Sequence, residues 1–260
     1  MLAQERYKYI FDVLQSKNTV RVSSLSSALK VSSETIRRDL EYLEKEGQLI
    51  RVHGGASLVR FNTMQESFPS RLSERTEQKE EIANIALKYV SEGQSIALDH
   101  STTSLIFARE LKKYFKSLII VTNSLEILNV MADVPTYTII FCGGIFNINE
   151  RSCFGSYTKR IVEELNIDTA FIGVGGISLK EGCTETFFEG AEMLQTFLKV
   201  AQQKIILVDS SKFDNVTLIK VCHLDDIDIV ITDSQIKKKV LDKYQNFVEI
   251  ITNDNISVNS

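Results

Sequence analysis

The chain of 260 residues predicts two pieces of unequal size, a small winged helix-turn-helix at the start and a larger α/β domain after it. Three observations carry this. Apolar residues recur at helical spacing before residue 45, two short extended runs then flank His53-Gly54-Gly55, and from Glu74 onward helical and apolar extended segments alternate. The alternation is the pattern of a mostly parallel sheet covered by helices.

The elements follow in order. Leu2 to Gln15 reads as a helix with Ile10, Val13 and Leu14 on its buried side, and Ser24 to Leu29 as a second, short one. In the third helix Ile36, Leu40 and Leu43 fall at i, i+4 and i+7 and share an inward face. Ser32 supplies an N-cap hydroxyl for that helix, and Gly47 tolerates the positive φ that ends one. Leu49 to Val52 and Ala56 to Val59 read as the strands of a hairpin with a glycine tip. Residues 1–57 therefore form the first domain, 58–73, with Asn62, Ser67, Pro69 and Ser70, a linker, and 74–260 the second domain. Its expected strands are Ser95–Leu98, Leu118–Val121, Tyr137–Phe141, Thr169–Ile172, Lys204–Val208, Ile227–Ile231 and Phe247–Ile251.

With Ile36 turned inward, Glu34 and Arg38 point outward and Arg37 lies on the flank. A helix fits the major groove of DNA, where arginine pairs bidentately with guanine and hydroxyls such as Ser33 and Thr35 reach bases or phosphates. Arg51, His53 and Gly54 would sit at the hairpin tip, able to touch the DNA backbone or minor groove. Paired arginines alone are more often a solvated face. The order of capped second helix, paired arginines and glycine-tipped hairpin favours DNA reading.

Ligands of open α/β sheets bind beyond the carboxyl ends of strands. Five such ends carry polar or glycine residues: Asp99 to Thr103, Thr122-Asn123, Cys142-Gly143-Gly144, Gly173 to Gly176 with Gly175 among them, and Asp209 to Lys212. These loops are expected to converge on one pocket. Hydroxyls and N–H groups of Ser101, Thr102 and Thr103 at a helix start suit a phosphate, and Lys212 adds a cation. The bland alternative is that these residues are N-caps, and that Asp99 and Asn123 cap turns. His100 and His223 are lone histidines, read as loop or core residues.

Thr35-Ile36-Arg37-Arg38-Asp39-Leu40 followed by Arg51-Val52-His53-Gly54-Gly55-Ala56 resembles the signature of the DeoR family of bacterial transcriptional regulators. The rest of the chain resembles that family's sugar-phosphate-sensing domain. The resemblance implies an effector domain related in fold to ribose-5-phosphate isomerase, double-stranded operator DNA as partner, and a phosphorylated sugar or related metabolite as the effector that releases a repressor. Asp99, Thr102, Thr103, Asn123, Gly143, Gly144, Asp209 and Lys212 match the family's pattern for the effector site. Ser101 stands where the family usually has glycine, and Leu194 where it usually has lysine, departures that would narrow the phosphate loop and remove a cation.

Charge fits this division. Residues 1–60 hold ten Lys/Arg against seven Asp/Glu, a net +3, while residues 61–260 carry −7. A mildly basic module on an acidic body suits docking to DNA by one end. Cys142, Cys153, Cys183 and Cys222 show no Cys-x-x-Cys spacing, so neither a metal site nor a disulfide framework is expected. No signal peptide or membrane-length apolar run is present, so a cytoplasmic protein is expected, and paired half-sites on DNA lead to the expectation of a homo-oligomer. The rival reading is an isomerase-like or transferase-like enzyme on the same fold. Against it, Gly173-Val174-Gly175-Gly176 lacks a leading lysine, and no convincing catalytic set or cofactor fingerprint appears. A DNA-binding protein without ligand control would have no need of so large a second domain with polar strand ends.

Overall fold

The computed structural model describes residues 3–17, 19–45, 49–52, 54–58 and 67–253. The chain divides into two compact units, residues 1–61 and 62–260.

In the first unit α1 (Ala3–Lys17), β1 (Thr19–Arg21), α2 (Val22–Leu29) and α3 (Ser33–Lys45) precede the hairpin β2 (Leu49–Val52) and β3 (Gly55–Leu58). The core is Ile10, Leu14, Leu25, Leu29, Ile36, Leu40, Leu43 and Leu49, so the expected inward face of α3 is buried. One strand escaped the sequence reading: β1 pairs antiparallel with β3, which makes a three-stranded wing of order β1-β3-β2. Gly55 is required there. A Cβ on it would lie 1.8 Å from the Val20 carbonyl oxygen, so only glycine lets β1 and β3 meet. Gly47 lies outside the described residues.

The second unit opens with α4 (Phe68–Ser73) and α5 (Thr76–Ala86). The expected linker is therefore helical in its second half. Ser67 caps α4, with Pro69 in its first turn, and Phe68 buries itself among Ile82, Leu105 and Leu118, so that Pro and Ser there mark a helix start rather than a loop. The first half of that stretch, residues 59–66, lies outside the described residues.

There follow β4 (Ser95–Leu98), α6 (Thr102–Tyr114), β5 (Ile119–Thr122), α7 (Leu125–Met131), β6 (Thr138–Phe141), β7 (Ile145–Asn147), β8 (Ser152–Phe154) and α8 (Ser156–Glu163). Next come β9 (Ile167–Ile172), β10 (Gly176–Ser178), β11 (Gly182–Glu185), α9 (Phe188–Val200), β12 (Ala201–Leu207), β13 (Ile219–Cys222), β14 (Ile229–Ile231), α10 (Lys238–Tyr244) and β15 (Glu249–Ile251). The seven expected strands build one parallel sheet of order β15-β14-β12-β9-β4-β5-β6.

Alternate side chains of these strands feed two cores. Ile96, Leu98, Phe171, Ile205, Leu207, Ile229 and Ile231 pack with α5, α6 and α7, while Ala97, Ala170, Ile172, Ile206 and Val230 pack with α9. A strand buried on both faces reads as a continuous apolar run, which is why the central strands were legible, and the partly exposed edge strands β6 and β15 still carry Ile139, Ile140, Phe141, Ile250 and Ile251. The short antiparallel pieces were not: β7 pairs with β8, and β10, β11 and β13 form a separate three-stranded sheet. No helix among the described residues is long and apolar enough to cross a membrane.

The chain winds outward through β4, β5 and β6, then returns to lay β9 beside β4 and winds the other way through β12, β14 and β15. The reversal falls between β4 and β9. Loops at their carboxyl ends diverge there and leave a crevice.

Candidate functional site

On α3 the cap is as expected, with the Thr35 N–H donating to Ser32 Oγ at 3.1 Å. The Ser32 and Thr35 hydroxyls are 2.9 Å apart, so Thr35 is partly engaged in the cap, and Ser33 is exposed beside it. The side chains of Arg37 and Arg38 are 62% and 79% exposed and both lean on Glu34, at 3.5 and 3.9 Å. Exposed pairs of this kind are weak, so both guanidiniums are available to another anion. Asp39, one residue further, is not part of that solvated face. It is buried and accepts two hydrogen bonds from the Arg6 guanidinium, at 2.6 and 2.8 Å. Arg51 is exposed but lies within β2 opposite Ala56 rather than at the tip, its N–H donating to Glu44 Oε1. Gly54 forms the tip with φ +78°; His53 lies outside the described residues.

In the second unit a cavity of about 320 Å³ lies at the carboxyl ends of β4, β9 and β12. Asp99, Ser101, Thr102, Thr103, Gly175, Asp209 and Lys212 line it, as expected. Asn123, Gly143 and Gly144 do not. They follow β5 and β6, which lie away from the reversal. Asn123 Nδ2 donates to the Cys153 carbonyl at 2.9 Å, and Thr158 Oγ1 donates to the Gly143 carbonyl at 3.1 Å. A Cβ on Gly144 would sit 2.1 Å from Thr158 Oγ1, so this glycine seats α8 rather than a ligand.

Two expected roles change as well. Ser101 was expected to crowd the phosphate loop; instead its Oγ donates to Asp99 Oδ1 and accepts from the Ser104 N–H, capping α6. Asp99 was expected at the effector site, with a turn cap as the alternative. Its oxygens already accept from Ser101, Ser104 and the Gly173 N–H, and burial pushes its carboxyl up to about 6. It ties β4 to β9 at the reversal. Leu194 is wholly buried in the core that α9 helps to form and does not line the cavity.

The cavity's charge comes chiefly from residues the sequence reading passed over. Arg71, Arg75 and Lys79 reach it from α4, the α4–α5 turn and α5. Lys79 is buried; its ammonium donates to the carbonyls of Arg71 and Glu74, and burial lowers its pKa to about 8. Arg71 is held by Glu150 through two hydrogen bonds of 3.1 and 2.6 Å. Arg75 takes the left-handed conformation, φ 50°, uncommon for a residue with a side chain, and its Nε stands 3.5 Å from Asp209 Oδ1. Burial raises the pKa of Glu185, which also lines the cavity. Lys212 and the first turn of α6 complete the lining, in which the cations Arg71, Arg75, Lys79 and Lys212 stand with the carboxylates Glu74, Asp99, Glu185 and Asp209. The fourfold spacing of 71, 75 and 79 was the available signal, masked by the Pro and Ser that suggested a linker. Among the described residues no cluster of metal-ligating side chains occurs.

Fold and site together define a winged helix-turn-helix joined to an α/β ligand-sensing domain. Residues 6–61 match the DeoR-like helix-turn-helix domain and residues 74–234 the DeoR C terminal sensor domain. The chain belongs to the DeoR family of transcriptional regulators. It is 32% identical to the HTH-type transcriptional regulator GolR of Listeria innocua over 95% of this chain and 96% of that one. It is 31% identical to the HTH-type transcriptional repressor GlcR of Bacillus subtilis, over 90% and 89% of the two chains. It is 30% identical to the lactose phosphotransferase system repressor of Lactococcus lactis, over 98% and 100%. Among solved structures, ribose 5-phosphate isomerase A from Methanocaldococcus jannaschii aligns with TM-score 0.38 and 18% identity over 54% of this chain and 55% of that one.

Proposed function

We propose that the chain is a repressor of carbohydrate-metabolism genes that holds operator DNA through α3 and the wing and lets go when a phosphorylated sugar or related anionic metabolite fills the cavity. The carrying observation is the cavity itself, which places Arg75, Lys79 and Lys212 beside the N-terminus of α6 at the sheet's reversal point. A dianionic phosphate gains from charge-assisted hydrogen bonds there. Release follows linkage: a ligand that prefers the arrangement unable to hold DNA shifts the population by its differential affinity. Relatives named as repressors, one of them of a lactose phosphotransferase system, support this reading. In it the chain works as a homo-oligomer, since one recognition helix makes few base contacts and two half-sites restore specificity.

The test is a mobility-shift experiment with genomic fragments enriched by the protein itself. A retarded fragment that is freed by at least one member of a sugar-phosphate panel is the expected result. No retained fragment, or a retained fragment indifferent to every sugar phosphate, would contradict it.

A further inference from the structure

Two residues that line the cavity each carry a polar side-chain atom with no partner among the described residues. His100 Nδ1 and Thr217 Oγ1 are buried without a hydrogen bond, in residues only 3% and 2% exposed that both line the cavity. Each is fixed where it stands. The His100 ring meets Phe154 and Phe187 edge to face, with centroids 5.1 and 5.5 Å away. Its nearest carboxylate oxygen, Asp99 Oδ2, is 4.0 Å from Nδ1, beyond hydrogen-bonding reach. Asp99 is in any case engaged by Ser101, Ser104 and Gly173. Thr217 donates its backbone N–H to Thr184 Oγ1 at 2.9 Å, which holds its hydroxyl against Gly175, where a Cβ would come within 3.2 Å of Oγ1.

Buried polar atoms are nearly always hydrogen-bonded, because an unpaired one loses its water without compensation. Two in residues that line one cavity point to a ligand that supplies the partners. Burial and the nearby Arg71 hold the imidazole neutral, with a pKa of about 3, so it carries one donor and one acceptor nitrogen. The Thr217 hydroxyl likewise donates and accepts. Their natural complement is an alcohol, which also does both, rather than a second anion, which only accepts.

We propose that His100 and Thr217 read the hydroxyl groups of a polyhydroxylated ligand while Arg75, Lys79 and Lys212 hold its anionic group. This rests on the anion-binding reading of the same cavity and adds the residues that set which sugar is accepted.

The experiment is calorimetry on the full chain with inorganic phosphate, a panel of aldose and ketose phosphates, and the matching unphosphorylated sugars. Thr217→Val removes the hydroxyl at nearly constant shape, His100→Phe keeps an aromatic ring, and His100→Gln restores a donor and an acceptor. Circular dichroism melts confirm that each variant folds. For the sugar phosphate that binds wild type best, Thr217→Val and His100→Phe should each weaken binding about tenfold, as loss of a hydrogen bond does. Inorganic phosphate affinity should not change, and His100→Gln should recover part of the loss. Unchanged sugar-phosphate affinity in both variants, or an equal loss for inorganic phosphate, overturns the proposal. If wild type binds no phosphate compound, the anionic reading fails separately. Unphosphorylated sugars then decide: binding lost in Thr217→Val supports hydroxyl recognition, and no binding at all overturns it.

Discussion

Arg6 on α1 grips Asp39 on α3 through a bidentate pair, Nε to Oδ2 at 2.6 Å and Nη2 to Oδ1 at 2.8 Å, in side chains 13% and 6% exposed. The contact fixes the helix that carries Arg37 and Arg38 against the rest of the first unit. Removing Arg6 leaves a buried carboxylate unpaired, so Arg6→Ala should destabilise that unit by about 2–3 kcal/mol. Hydrogen exchange across residues 3–45 measures this, and it should quicken there while the sheet of the second unit keeps its protection.

Arg37→Ala and Arg38→Ala should leave the fold unchanged, since both side chains are exposed. An arginine that reads a guanine edge should cost about 1–3 kcal/mol on operator DNA when removed and relax preference at one base pair. Fluorescence anisotropy against a set of single-base operator variants separates this from a phosphate contact, which would weaken all sequences alike.

Ser101→Ala should lower the stability of the second unit by about 1 kcal/mol through loss of the α6 cap. Affinity for inorganic phosphate should stay within a factor of two or so, because the Ser101 hydroxyl is turned to Asp99 and Ser104. Thermal unfolding and phosphate titration on one preparation check both parts.

Lys79 gives the cavity a pH dependence. Its pKa near 8 means that it is charged at neutral pH and loses its proton as pH rises past that value. Anion affinity should fall across that rise, and binding near pH 8 should take up protons, because the bound anion favours the ammonium form. Stability of the ligand-free chain runs the opposite way. The folded pKa lies below the unfolded value of 10.5, so the unfolded chain holds more protons between the two and Lys79 makes folding more favourable as pH rises through that window. Calorimetry in buffers of differing ionisation enthalpy reads the proton uptake directly.

The sheet was legible because its central strands are buried on both faces and so stand out as mostly apolar runs. The inward face of α3 was legible from Ile36, Leu40 and Leu43. Asp39 sits three residues after Ile36, on that same inward stripe, and this placement already implied a buried partner, but nothing local pointed to Arg6, 33 residues away. The strand β1 is three residues long and finds its partner only in β3. In the cavity, strand-end loops announced Thr102, Thr103 and Lys212, whereas which loops meet depends on where the strand order reverses. That order is a long-range property, and it leaves Asn123, Gly143 and Gly144 outside. Arg71 and His100 were hidden for a related reason: a guanidinium in a presumed linker and a histidine beside an aspartate acquire meaning only when α4 and β4 are brought to one cavity.

In the proposed function, anion binding by the second unit's cations controls DNA binding by the first. The most direct test follows the anisotropy of a labelled operator duplex bound to wild type and to Lys212→Ala as a sugar phosphate is added. The account predicts release from wild type and, at the same duplex affinity, little or no release from Lys212→Ala. Release from the variant at the wild-type concentration, or no release from wild type by any sugar phosphate that calorimetry shows to bind, would contradict it.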